Sequence, residues 1–228
     1  AAGAVSWNTA RLYVKSYISK SEMQSGDTLI GTTTLSEKAG ILNAPNRQTF
    51  RANAITVSVA GVYGAGLQTV GAVGVAVALN SLKSFNNVTV EKSNIVSSGG
   101  VSVKSESSPE IKSQAIGIAV TGAIGGSKVI GFAGVGSAAK NIFNNQVEVA
   151  VNGRKSAAKP SIDAAGDAIA IQVEAIDRSV INATAGGLAF SFQSGLIGGT
   201  AAGAVGVAIA INKIGTEDII IYGNSWDS

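Results

Sequence analysis

Along much of the chain, large aliphatic and small residues alternate one for one. From Ala54 onward, Ile55, Val57 and Val59 share one face and Thr56, Ser58 and Ala60 the other. The same period returns at Val73, Val75, Val77 and Leu79, with Gly74, Ala76 and Ala78 between them, and again from Val205 to Ile211. A period of two over many short segments means strands, and no segment carries a helical stripe. Further strands are predicted over 5–18, 28–35, 88–90, 101–103, 116–120, 147–151, 167–173, 188–192 and 219–222. Gly, Asn and Ser punctuate them, as in the turns Ser25-Gly26-Asp27, 61–66 and Ser98-Gly99-Gly100.

The alternation is itself repeated. Residues 71–80 read GAVGVAVALN and 203–212 read GAVGVAIAIN; a looser copy, GFAGVGSAAKN, fills 131–141, and Ala4-Val5-Ser6-Trp7-Asn8 is the tail of another. The closing asparagines, Asn8, Asn80, Asn141 and Asn212, lie 72, 61 and 71 residues apart. Such self-similarity marks a repeat architecture. The expected fold is all-β, a parallel β-helix (β-solenoid) of imperfect repeats of about 60–70 residues, each divided into roughly three coils of about 20. About ten coils would span on the order of 50 Å. The four asparagines are structural anchors, expected to stack at one corner, their amides bonding along the ladder and to the turn backbone. Residues 1–228 are read as one continuous segment of a longer array, with loop excursions at 36–51 and 152–163.

Which side of each strand faces inward follows, on this reading, from hydrophobicity. Val and Ile should fill the core, leaving Gly, Ala and Ser on a flat, nearly uncharged exterior. The aromatics near the ends, Trp7, Tyr13, Tyr17, Tyr222 and Trp226, are expected to cover the ends of that core.

Composition narrows the chemistry. There are 29 Gly, 14% charged residues and 5% aromatics, with a mean hydropathy of +0.31. Low charge with abundant aliphatic residues excludes a disordered chain. The net charge of +3 is spread along the sequence with no basic cluster among aromatics, which argues against nucleic-acid binding. Without Cys there is no disulfide or thiol chemistry, and without His the commonest general base and metal ligand is missing. Three uncharged spans, 52–82, 113–127 and 179–212, are long enough to cross a bilayer, but Gly, Ser, Thr, Asn and Gln interrupt them too often for a spanning helix.

No catalytic residue, cofactor site or metal site is expected. A carbohydrate-active β-helix would need clustered carboxylates, for which Asp163, Asp167, Glu174 and Asp177 are the candidates; turn and strand-end positions explain them more simply. Gly99-Gly100, Gly125-Gly126, Gly186-Gly187 and Gly198-Gly199 lack the Gly-x-Asp continuation of calcium-binding nonapeptides, and no nucleophile elbow or phosphate loop is present.

Taken together, the GAVGVA…N blocks at 71–80 and 203–212, the Ser98-to-Val103 turn and strand, and Ala115-Ile116-Gly117-Ile118-Ala119-Val120 resemble large bacterial exoproteins of the filamentous-adhesin and leukotoxin type, exported by two-partner secretion. The resemblance covers most of 50–215 and implies a secreted or surface-associated, non-enzymatic virulence segment. On that reading the chain forms part of an extended rod that contacts host leukocytes or epithelial cells. Two alternatives stand beside it: a membrane-active segment whose uncharged Gly-rich spans insert, and a β-helical carbohydrate-active enzyme.

Overall fold

A computed structural model describes the chain apart from residues 20–21, 26–27, 33–47, 92, 98–100, 153–161, 165–170, 196–197, 217–219 and 224–228. The described residues are almost entirely strand, with no helix among them. In chain order the strands are β1 (Ala2–Ser19), β2 (Glu22–Ser25), β3 (Thr28–Thr32), β4 (Thr49–Gly64), β5 (Gln68–Glu91), β6 (Asn94–Ser97) and β7 (Val101–Ser107). They continue as β8 (Glu110–Gly125), β9 (Val129–Asn152), β10 (Ile162–Ala164), β11 (Ile171–Asp177), β12 (Val180–Gly195), β13 (Thr200–Thr216) and β14 (Ile220–Gly223).

Every strand pairing is parallel, and every strand pairs with its counterpart one repeat away. The long sheet runs β1-β5-β9-β13, with β14 also beside β9; β4-β8-β12 form a second sheet, and β2-β6-β10 and β3-β7-β11 two small ones. Each of the first three repeats therefore contributes one strand to each sheet. The predicted division of a repeat into three short coils does not occur, because a strand's hydrogen-bond neighbour lies a whole repeat away, as in Asn80 opposite Asn8 and Asn141. The four strands of the long sheet span only about 15 Å across the ladder, at about 4.8 Å each.

Within the excursion expected at 36–51, Thr49, Phe50 and Arg51 are the first residues of β4. In 152–163, Asn152 closes β9 and Ile162 and Asp163 open β10; 36–47 and 153–161 lie outside the described residues, as do Gly26, Asp27, Asp167 and the Ser98–Gly100 turn. The chain does not turn at Gly61: β4 continues to Gly64, and the tight connection to β5 is 65–67.

The two larger sheets face one another, and their facing sides reverse the expected orientation. Ala54 is 2% exposed and Ala76 0%, whereas their outward neighbours Ile55 and Val75 are 61% and 46% exposed. Small residues form the interior here. Ala52, Ala54, Ala76, Ala78, Ala115 and Ala139 make one buried cluster, and Ala72, Ala119 and Ala133 pack in another with Val135. The physical reason is backbone proximity. A Cβ built on Gly74 would lie 3.3 Å from the Ile118 carbonyl oxygen, and one on Gly206 3.1 Å from that of Gly187. Sheets usually pack about 10 Å apart with interdigitating side chains; here the backbones approach too closely for two layers of Val and Ile. Rows of closely spaced ladders, with Ala methyls between them, replace a branched-chain core.

Past the asparagines the interior widens and becomes ordinary. Leu82, Ile111 and Phe143 form one cluster, and Val88, Val90, Ile95, Val101, Val103 and Val149 another between the long sheet and the small ones. The molecule thus has a thin, small-residue wing, made of β4, β8, β12 and the first halves of β5, β9 and β13, and a thicker body. The aromatics of β1 do not cover an end of the core. Trp7, Tyr13 and Tyr17 point outward, Tyr13 against Phe85 at 6.2 Å and Tyr17 donating to Glu91 at 2.9 Å, with Lys15 over its ring.

Candidate functional site: an asparagine ladder beneath two apolar faces

The anchors Asn8, Asn80, Asn141 and Asn212 occupy one inward column of the long sheet. Asn8 Nδ2 donates to Asn80 Oδ1 at 3.0 Å, Asn80 Nδ2 to Asn141 Oδ1 at 3.0 Å, and Asn141 Nδ2 to Asn212 Oδ1 at 2.9 Å. The second amide proton of the first three crosses to the facing sheet. Asn8 donates to the Arg51 carbonyl, Asn80 to that of Lys112 at 2.7 Å, and Asn141 to that of Asn182 at 2.7 Å. The ladder sits mid-strand rather than at a corner, and it bonds to a facing strand rather than to a turn. A primary amide suits the position because it has one acceptor for the previous rung and two donors, one for the next rung and one for the opposing backbone. Asn80 and Asn141 are fully enclosed, so a residue without these groups would strand backbone carbonyls in a dry interior.

The same column divides the molecule electrostatically. Among the described residues between the ladder and the far ends of the wing's strands there is a single charged residue, Lys128, in the connection 126–128. Its outer faces are apolar on both sides: Val57, Leu188 and Phe190 on one sheet, Val75, Phe132 and Val207 on the other. At and just past the ladder come cations. Arg51 and Lys112 are register neighbours on the β4-β8 side, and Arg11 and Lys83 on the β1-β5 side, where Lys140 and Lys213 flank Asn141 and Asn212. Near the turns, Gly61 and Gly122 leave an open apolar concavity of about 560 Å³ beside Tyr63, Ile124 and Phe192.

The carboxylates singled out in the sequence do not converge on such a feature. Glu174 pairs with Lys104 at 3.4 Å on the neighbouring strand, and Asp177 accepts from the Ser179 backbone N–H at 3.0 Å, holding the step into β12. Asp163 lies on β10, and Asp167 lies outside the described residues. No cluster of three metal-ligating side chains occurs among the described residues. An acidic residue that sequence reasoning passed over is Glu106, which is buried; it receives Arg178 Nη1 and lies 3.6 Å from Lys104. Its signal was the Lys104/Glu106 pair on one strand with Glu174 on the next, a charge pattern that suits a cross-strand network.

Gly117 and Gly187 are the positions opposite Val135, whose isopropyl group fills the space both leave. The left-handed Gly198, at φ 117°, closes the last turn beside the Ser127 carbonyl, where a Cβ would come within 3.0 Å. Comparison with known proteins returns no match to any family model, to any curated protein or to any solved structure.

Proposed function

We propose that the chain is a non-enzymatic β-solenoid segment of a large secreted or surface-associated bacterial exoprotein, with one wide coil per repeat, serving as part of a rod that contacts host cells. The observation that carries this reading is the asparagine column, in which four repeats of unequal length are held in one register by amide-to-amide bonds. Parallel ladders of this kind leave backbone edges on β1 and β13 that a further repeat can continue, and stacked coils need nothing beyond their neighbours to extend. The dry, aliphatic interior and the engagement of Glu174 and Asp177 in strand and turn contacts favour a structural role over hydrolysis.

Concatenated copies test the architecture. Two and three copies in tandem should lengthen by a constant increment per repeat, about 5 Å each, in small-angle scattering and electron microscopy. Independent beads separated by linkers would sink the solenoid reading. Binding of the fluorescently labelled chain to neutrophils and epithelial cells, with dye release read in the same wells, tests host contact. Saturable binding is expected; absence of binding to either cell type would leave the rod without this partner.

A further inference from the structure

We propose that the wing enters an anionic lipid bilayer, with its apolar outer faces against acyl chains and the cations beside the asparagine ladder at the headgroups. Three observations point to lipid. First, both outer faces are apolar, so no single flat partner could cover them, whereas a bilayer surrounds an inserted slab. Val57 and Leu188 are exposed on one side and Val75 and Val207 on the other, while the small side chains between the sheets are already buried. Second, the dimensions agree. From Ile55 to Tyr63 the outer face of β4 runs about 26 Å, close to the roughly 30 Å thickness of a hydrocarbon core. Polar turn residues, Ser127 and Lys128, lie beyond it at one end.

Third, charge is placed where the headgroups would be. Arg11, Arg51, Lys83, Lys112, Lys140 and Lys213 gather at the base of the wing on both sides. Among the described residues the acidic side chain at this level is Glu110, bound to Lys112 at 2.5 Å. Basic residues bordering an apolar span are drawn to anionic lipid. The same belt disfavours face-to-face stacking of two copies: side by side in parallel, Arg51 and Lys112 of one would meet those of the other. Lipid offers no partner for an open strand edge, so the inserted form is an end-to-end assembly in which β1 and β4 of one copy continue β13 and β12 of the next.

The test uses the 228-residue chain and two vesicle compositions, phosphatidylcholine alone and phosphatidylcholine with 30% phosphatidylglycerol. Because the chain has no cysteine, Val57→Cys provides a single site for an environment-sensitive dye. On the anionic vesicles the dye should shift to the blue, brighten several-fold and be quenched by lipids brominated along the acyl chain. Co-flotation should be about tenfold weaker on neutral vesicles, and cross-linking should trap assemblies only with lipid. The triple variant Val57→Asp/Val75→Asp/Val207→Asp should stop co-flotation with an unchanged circular dichroism spectrum. Should it misfold, Arg51→Gln/Lys83→Gln/Lys112→Gln should still reduce anionic co-flotation about tenfold. A dye that keeps its aqueous spectrum on both vesicles overturns the proposal, as does binding indifferent to lipid charge. Lipid-free dimerisation that buries the dye overturns it in favour of a second copy. None of these outcomes bears on the increment per repeat in concatenated chains, so the rod reading stands or falls separately.

Discussion

Val135 and Gly117 face each other across the interior of the wing, and the valine takes up the volume the glycine lacks. A Cβ on Gly117 would collide with Val135 Cγ2, while Gly74 and Gly206, the residues beside Val135 in its own sheet, leave room on either side. The wing is assembled from such complementary sizes rather than from uniform bulk. Gly117→Ala is expected to cost about 2 kcal/mol of unfolding free energy through overpacking. Combining it with Val135→Ala should recover at least half of that loss, a coupling measurable in a double-mutant cycle by urea denaturation.

The inward and outward sides of β5 should respond in opposite ways. Ala76→Leu forces a branched side chain between closely spaced backbones and should lower stability by about 2–3 kcal/mol. Val75→Thr, one residue away on the open face, should change it by less than about 0.5 kcal/mol. Thermal melts of the two variants decide the matter. A costly Val75→Thr with a tolerated Ala76→Leu would mean that the strand sits the other way round.

Asn141, like Asn80, uses its whole amide in the ladder, accepting from Asn80 and donating to Asn212 and to the Asn182 carbonyl. Asn141→Ala should cost about 2–4 kcal/mol, since the buried Asn80 amide loses its acceptor and two partly buried acceptors lose their donor. Asn8→Ala, at the partly exposed end, should cost less than half as much. Asn141→Asp should be at least as damaging as alanine at neutral pH, because an ionised carboxylate donates nothing. Burial favours the protonated acid in the folded state, so the folded form binds more protons than the unfolded one. The deficit should therefore shrink as pH falls through the carboxylate range. Urea midpoints between pH 4 and about pH 8 would show the trend.

Glu106 and Arg178 are unequal partners: the carboxylate is 7% exposed and the guanidinium 61%. Removing the buried member lets the other return to water, whereas removing the exposed member takes away the closest cation from an enclosed charge. Arg178→Ala should thus destabilise more than Glu106→Gln, by about 1–2 kcal/mol after allowance for solvent screening. Adding Glu106→Gln to Arg178→Ala should recover part of the loss in chemical denaturation.

Strand positions were legible in the sequence because a period of two is a local property, and the asparagine spacing revealed the repeat directly. What the sequence left ambiguous was which side of each strand turns inward. Hydrophobicity favoured Val73, Val75 and Val77; the structure buries Ala72, Gly74 and Ala76 instead. The deciding interaction is non-local, the approach of β8 to β5, visible only when Gly74 is placed beside the Ile118 carbonyl. Coil length failed for a similar reason. Strands 20 residues apart read as neighbours in a small coil, but β4 to β7 belong to different sheets, and each waits a full repeat for its partner. At the candidate site, Asn80 carried a clear signal as a repeat marker and none as the border between an uncharged wing and a charged body. That border depends on Arg51 and Lys112, which reach the same level from a strand remote in sequence.

The offsets between paired strands bear on how such a chain can change. The long strands β5 and β9 keep an offset of 61, yet in the same repeat β10 lies 67 and β11 and β12 70 residues from their partners, and β3 to β7 is 73 while β4 to β8 is 61. Extra residues enter only in the connections, chiefly 33–48, 153–161 and 165–170, and never shift a ladder. Length variation is thereby confined to margins. Evolution, or a protein engineer, can write new peptide there without re-phasing the ladders, so recognition surfaces can diversify while the stack they hang from stays the same.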